Sequence, residues 1–191
     1  MDTIDSFQGA HRFLSNFWPC CLEWEGLVYP TLEHAYVSSK LQDPSLKQAI
    51  QCCATPGEAK EYLTAHGLAP SIPWTRDKKL QVMEALLFIK FGGRDPLLTR
   101  ALMATAKAEL VEGNTWNDRF WGVCDGAGEN NLGRLLMKVR GQLFREKALI
   151  EQHMLAATGF DQLAAGAGLS TIQLYEKMMA FGLPTKKYLG Y

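Results

Sequence analysis

Three times before residue 100 this chain sets a helix-capping side chain directly ahead of proline, at Asp43-Pro44, Thr55-Pro56 and Asp95-Pro96. Proline has no N–H to leave unpaired in a first helical turn and is excluded from a helix interior, so each dipeptide fixes a helix start and forbids a helix running through it. A chain cut this way stacks several short helices rather than a few long ones. Thr55-Pro56-Gly57-Glu58 adds the spacing of a capping box, and Thr31 caps a further helix expected to reach Leu41.

Ahead of these helices the chain reads as strand. Leu22-Glu23-Trp24 and Leu27-Val28-Tyr29 flank Glu25-Gly26 as a short hairpin. From Asp77 to Phe91 two apolar stripes, Leu80/Met83/Leu87 and Val82/Leu86/Ile89, predict a central helix ended by Gly92-Gly93. Another helix is expected from Asp95-Pro96 to about Lys107, and Glu109-Leu110-Val111-Glu112 alternates like a short strand. A polar, glycine-rich loop over residues 113–131 then leads into a helix whose Leu132, Leu135, Leu136, Val139 and Leu143 form one buried face, with Arg134 and Lys138 off it. The fold class is therefore α+β, a mostly helical compact domain with a few short strands over residues 1–145, followed by a small all-α extension over residues 146–191.

A chain of 191 residues with 47% hydrophobic side chains can bury a core without staples. Its 20 basic and 20 acidic residues leave no net charge, which excludes general polyanion coating but permits a local basic site. Cys20-Cys21, Cys52-Cys53 and Cys124 lack metal or redox spacing and read as reduced thiols. His11, His34, His66 and His153 are scattered, so neither a metal nor a cofactor is expected. No leader pattern or membrane-length apolar run is present in the sequence, and the expected compartment is the cytoplasm.

Two segments carry candidate chemistry. Glu33 and Lys40 lie seven residues apart, which returns them to nearly one helical face. That spacing fits a shared pocket or a solvated surface pair. The helix dipole at its first turn favours ionised Glu33, while His34 points elsewhere and reads as structural. The second segment, Asn114 to Gly122 followed by Asp125 to Gly133, mixes carboxylate, guanidinium and indole groups with glycines that permit close backbone approach to a phosphate. Gly126-x-Gly128 is not a dinucleotide fingerprint, since position 131 is Asn. As isolated residues, Trp116 and Trp121 fit a core as well as a base-stacking role.

Phe13-Leu14-Ser15-Asn16-Phe17, Tyr29-Pro30-Thr31-Leu32-Glu33-His34 with Lys40, Trp74 ahead of Val82-Met83, Leu110-Val111-Glu112, Asn117-Asp118, Trp121-Gly122, and Asn131 to Met137 with Arg140 together resemble the NADAR superfamily, in order, from residue 7 to about 145. The resemblance implies an α+β N-glycosidase acting on a ribosyl phosphate, such as an intermediate of riboflavin synthesis, or on an ADP-ribosyl compound, including ADP-ribosylated guanine in nucleic acid. It implies catalytic roles for Glu33, Asp118 and Lys40, with Lys40 a candidate Schiff-base lysine. Trp74 and Trp121 would stack on base or ribose, and Asn16, Phe17, Gly122, Gly126, Asn131 and Arg134 would bind substrate. Val37 stands where the family usually has glutamine, and the Trp74–Met83 interval is one residue longer, departures that bear on substrate contacts.

The tail from Leu163 to Leu183 resembles a Fis-like helix-turn-helix with a second helix from Ser170. That supports an alternative, a nucleotide-sensing module with a DNA-contacting tail. Arg145, Lys147, Lys177, Lys186 and Lys187 are nearly offset by Glu146, Glu151, Asp161 and Glu176, which favours plain capping helices. The sequence fixes no oligomeric state.

Overall fold

The structure is a computed structural model that describes residues 2–185 and residue 188. Lys186 and Lys187, used above, lie outside the described residues. The chain opens with strand β1 (Thr3–Ile4) and a 3-10 helix over Gly9–Leu14, then folds into the hairpin β2 (Pro19–Trp24) and β3 (Leu27–Thr31). Glu25 and Gly26 turn it with φ of 49° and 80°, the left-handed pair that a two-residue connection of this hand requires.

Helix α1 (Leu32–Ser38) starts where Thr31 accepts the His34 amide. It ends short of Leu41 because the last amides tighten, Lys40 bonding Val37 at 3.1 Å and Leu41 bonding Ser38 at 3.0 Å. The proline-marked starts are all present: Asp43 caps α2 (Pro44–Gln51), Thr55 caps α3 (Pro56–Ala65) and Asp95 caps α5 (Pro96–Ala104). At α3 the box closes one residue early, Glu58 Oε2 accepting from the Ala54 amide at 2.9 Å. Helix α4 (Arg76–Phe91) begins at Thr75 and stops at Gly92. Helix α5 stops before Lys107, since Ala106 turns to φ 48° and Arg140 takes the Thr105 hydroxyl and the Ala108 carbonyl at 2.6 and 2.9 Å.

The expected strand at 109–112 is only β4 (Glu109–Leu110), paired in parallel with β1. It is cut short because the Glu112 amide donates to Asn130 Oδ1 at 3.0 Å instead of continuing the ladder. After the loop come α6 (Asn131–Met154), α7 (Phe160–Ala167) and α8 (Thr171–Phe181). Helix α6 runs without a break through residue 145, and Ile150, Leu163, Leu174 and Met178 share one buried cluster with Met83, Leu87 and Leu136. A smaller cluster of Val37, Leu41, Ile50, Ala59 and Leu63 packs α1 against α2 and α3. Among the described residues no helix is long and apolar enough to cross a membrane.

Helix α8 has one basic side chain, Lys177, and it is engaged by Glu146 Oε2 at 2.6 Å and the Gly92 carbonyl at 3.2 Å. The exposed side of α8 presents Ile172, Tyr175 and Met179 with Glu176. A recognition helix reading phosphates would need cations there.

Candidate active site

A cleft of about 570 Å³ opens where α1, α3, α4 and the 113–131 loop meet. Its wall on one side is the turn after the 3-10 helix, Ser15-Asn16-Phe17. Lys90, buried on α4, donates to the Ser15 carbonyl at 2.8 Å and holds that turn in place. Burial lowers the Lys90 ammonium to a pKa of about 8. The Glu33 amide bonds the Asn16 carbonyl at 3.1 Å, tying the first turn of α1 to the same wall.

Glu33 is 8% exposed. Burial pushes its carboxyl above the usual range, Asp118 adds to this, and Lys60, Lys40 and the Asn16 side chain pull the other way. Burial thus opposes the ionised form that the helix dipole favours at Glu33. A dipole contributes at most about 2 kcal/mol, while removing a carboxylate from water costs several. His34 is structural, its Nδ1 2.7 Å from the Thr31 hydroxyl and its Nε2 3.2 Å from the Cys53 carbonyl.

Lys40 stands at the C-terminal turn of α1, its Nζ 5.2 Å from the centre of the Tyr36 ring. Burial lowers its pKa, with Glu33 opposing and Lys79 and Lys60 reinforcing the shift. Glu33 and Lys40 therefore share a pocket rather than a solvated surface, and no carboxylate lies within ion-pair distance of the ammonium among the described residues. Tyr36 packs edge-on against Trp74 and Trp121, with ring centres at 5.5 and 5.6 Å, so three aromatic groups line the space between Lys40 and the loop.

Asp118 enters from the loop. The Asn114 side chain clamps it, accepting its amide at 3.0 Å and donating to its carbonyl at 2.8 Å. Asp118 Oδ1 accepts the Phe120 and Trp121 amides at 3.2 and 2.9 Å. One carboxylate oxygen is thereby committed to shaping the loop, and the residue still lines the cleft.

The structure brings Glu33, Lys40, Asp118, Asn16, Phe17, Trp74 and Trp121 into one cleft. Gly122, Gly126, Asn131 and Arg134 do not line it. Gly122 serves packing: a Cβ there would stand 2.1 Å from the Glu112 carbonyl oxygen. Gly126 turns the exposed Cys124–Ala127 bend at φ 74°. The Asn131 side chain donates to the Phe120 carbonyl at 2.8 Å. Arg134 lies on the exposed side of α6. The backbone expected to cradle phosphate is already used, since the amides of Glu129, Asn130, Asn131 and Leu132 bond the carbonyls of Arg119, Gly122, Phe120 and Trp121.

Lys60, Lys79 and, in a site role, Glu112 line the cleft without having been singled out by sequence. Glu112 Oε2 is buried without a hydrogen-bond partner, and burial, then Asp118, raise the carboxyl to a pKa of about 7. Asn16 Oδ1 is likewise unpartnered, its amide nitrogen resting 3.7 Å from Met83 Sδ. Lys60 and Lys79 also line the cleft, as do Gln8, Trp116 and Leu132. A larger, more open hollow of about 830 Å³ between β1, the 3-10 helix and α5 is walled by Ala101, Ala104 and Ala106 and gathers none of the candidate residues. Among the described residues no three His, Cys, Asp or Glu side chains come together as a metal site.

The NADAR domain profile matches residues 5–144. The chain belongs to the NADAR family. N-glycosidase YbiA of Escherichia coli (strain K12) is 36% identical over 152 residues, covering 76% of this chain and 92% of the relative. A Nostoc punctiforme N-glycosidase is 32% identical over 136 residues, covering 68% and 83%. A riboflavin biosynthesis protein of Vibrio vulnificus (strain YJ016) is 34% identical over 134 residues, or 70% of this chain, which spans only 36% of that longer protein. The NMR structure of E. coli YbiA superposes with a TM-score of 0.66 at 34% identity, covering 77% of this chain and 88% of the other. This NADAR member is therefore an α+β protein of an N-glycosidase family, and its matched region is the part that builds the cleft.

Proposed function

We propose that this chain is an N-glycosidase that hydrolyses the C1′–N bond of a ribosyl phosphate or an ADP-ribosyl compound. The observation that carries the reading is the convergence of Glu33, Asp118 and Lys40, from separate stretches of sequence, on one aromatic-walled cleft in a NADAR member. As C1′–N breaks, the bonding pair leaves with nitrogen, which takes the proton of the Glu33 carboxyl and leaves it a carboxylate, while positive charge builds on C1′ and the ring oxygen. A carboxylate beside C1′ stabilises that charge, and a second one accepts the proton of the water that adds there. Glu33 and Asp118 fill these two positions. By a second route Lys40, desolvated and without an ion pair, suits attack on C1′ of the ring-opened sugar: C1′–N breaks, the nitrogen base leaves with the lysine's proton, and water hydrolyses the resulting imine to free lysine and sugar. Trp74 and Trp121 offer stacking faces for a base, with Asn16 and Phe17 at the facing wall. The cytoplasm is the compartment in this reading, in keeping with five free thiols.

The N-glycosidase names of the bacterial relatives support the reaction class, and the riboflavin name of the Vibrio relative supports a phosphoribosyl-aminouracil as one substrate. The test is mass spectrometry of the purified protein on that compound and, in parallel, on ADP-ribosylated guanine in a DNA oligonucleotide, each beside Glu33→Gln. Release of ribose phosphate or of ADP-ribose by the parent, lost in the variant, is expected for one of the two. Turnover of neither would overturn the reading.

A further inference from the structure

The cleft has a polarity that the reaction alone does not require. Its carboxyls lie deep: Glu33 is buried, and Glu112 hides an unpartnered oxygen. Its ammonium groups lie farther out, Lys60 on the exposed side of α3 and Lys79 half-buried on the second turn of α4. Lys60 lines the same cleft as Glu33 and Glu112, and its charge draws both carboxyls toward ionisation. Lys79 is steadied with its Nζ 5.3 Å from the centre of the Phe120 ring. Arg76, on the other hand, also beside Phe120, is already bound to Glu129.

Neither lysine takes part in any ion pair among the described residues. The two lysines stand outside the buried carboxyls rather than against them, so the positive charge of the cleft lies toward its mouth and the carboxyls toward its floor. Two unpaired ammonium groups beyond a carboxyl floor match a ligand that is anionic at one end and becomes cationic at the other.

We infer that Lys60 and Lys79 form an anion subsite at the mouth of the cleft, which receives the phosphate of a phosphorylated ribosyl substrate and sets C1′ against the Glu33–Asp118 floor. The inference rests on the N-glycosidase reading for the sugar, and it moves phosphate binding away from Arg134 and the 126–131 backbone. Lysine suits the role as a mobile point charge that meets a tetrahedral anion without fixed geometry.

The test is calorimetric titration of the full chain with ribose 5-phosphate and with ribose at low salt. Ribose 5-phosphate should bind at least about tenfold more tightly, and Lys60→Ala and Lys79→Ala should each weaken it about tenfold, the loss expected for one charge-assisted contact. Lys79→Arg should retain binding. In turnover, Lys60→Ala should raise KM for the phosphorylated substrate more than for an unphosphorylated one. Circular dichroism melting confirms folding, and both lysines lack ion pairs whose loss would confound it. Equal binding of the two sugars, or a phosphate preference that survives in the double variant, would overturn the subsite. Glu33-dependent turnover indifferent to both lysines would sink the subsite and leave the reaction standing. Lysine-dependent binding without turnover of any ribosyl compound would do the reverse.

Discussion

Lys177 and the cleft lysines are the same side chain in opposite situations. Lys177 joins α8 to α6 and to the end of α4 through Glu146 and the Gly92 carbonyl, with the Phe88 and Phe181 rings at 5.6 and 6.0 Å from its ammonium. Lys40, Lys60 and Lys79 share a cleft with three carboxyls, yet none pairs. The contrast extends to neutral groups. Among the described residues three buried side-chain atoms lack a hydrogen-bond partner, and two of them, Asn16 Oδ1 and Glu112 Oε2, belong to cleft residues. Folded chains satisfy buried polar groups almost everywhere, so a cluster left open marks where a ligand supplies the missing partners and where sequence serves something other than stability.

This contrast predicts that side chains on the packing side matter to stability and those in the cleft do not. Leu136, fully buried on α6, should lose about 2–5 kcal/mol on substitution by alanine, read as a shift of the denaturant midpoint. Glu112→Gln should act in the opposite direction. The Glu112 carboxyl has a folded pKa of about 7, above its ordinary 4.5. The folded state therefore holds the proton longer than the unfolded chain, and stability present below pH 4.5 is lost as pH rises toward 7. The amide carries no such loss, so above pH 7 the variant should be more stable than the parent by about 1–3 kcal/mol, with no gain at pH 4. A destabilised variant at both pH values would break the contrast. Lys177→Met is the smallest effect: a partly exposed pair is worth about 1 kcal/mol, measurable by the same unfolding curves and reduced by salt.

Local signals explain what could be read from the sequence. Asp43, Thr55 and Asp95 each cap through their own side chains, so the helix starts were written in neighbouring residues. His34 was readable as structural for the same reason, with Thr31 as its partner three residues away. The β1–β4 pairing joins residues more than a hundred positions apart, Thr3 with Glu109, and no local pattern announces it. Of the site, Glu33, Lys40, Asp118 and Trp121 stood in residue patterns that resemble a family. Lys60 did not, because a lysine in the middle of a short amphipathic helix looks like any solvated charge. Glu112 was visible as the end of Leu110-Val111-Glu112, yet its burial depends on Asn130 capturing its amide from the far side of the loop. Arg134 illustrates the converse: the stripe of Leu132, Leu135 and Leu136 already put it on the outer side of α6, and the structure keeps it there.

The cleft keeps its polar groups open for chemistry at the expense of stability. The most direct measurement pairs turnover with the denaturant midpoint in Glu33→Gln at neutral pH. Turnover should fall by about 10²-fold or more while the midpoint holds or rises, since an amide replaces a desolvated carboxyl. A variant that keeps its turnover and loses stability would contradict it.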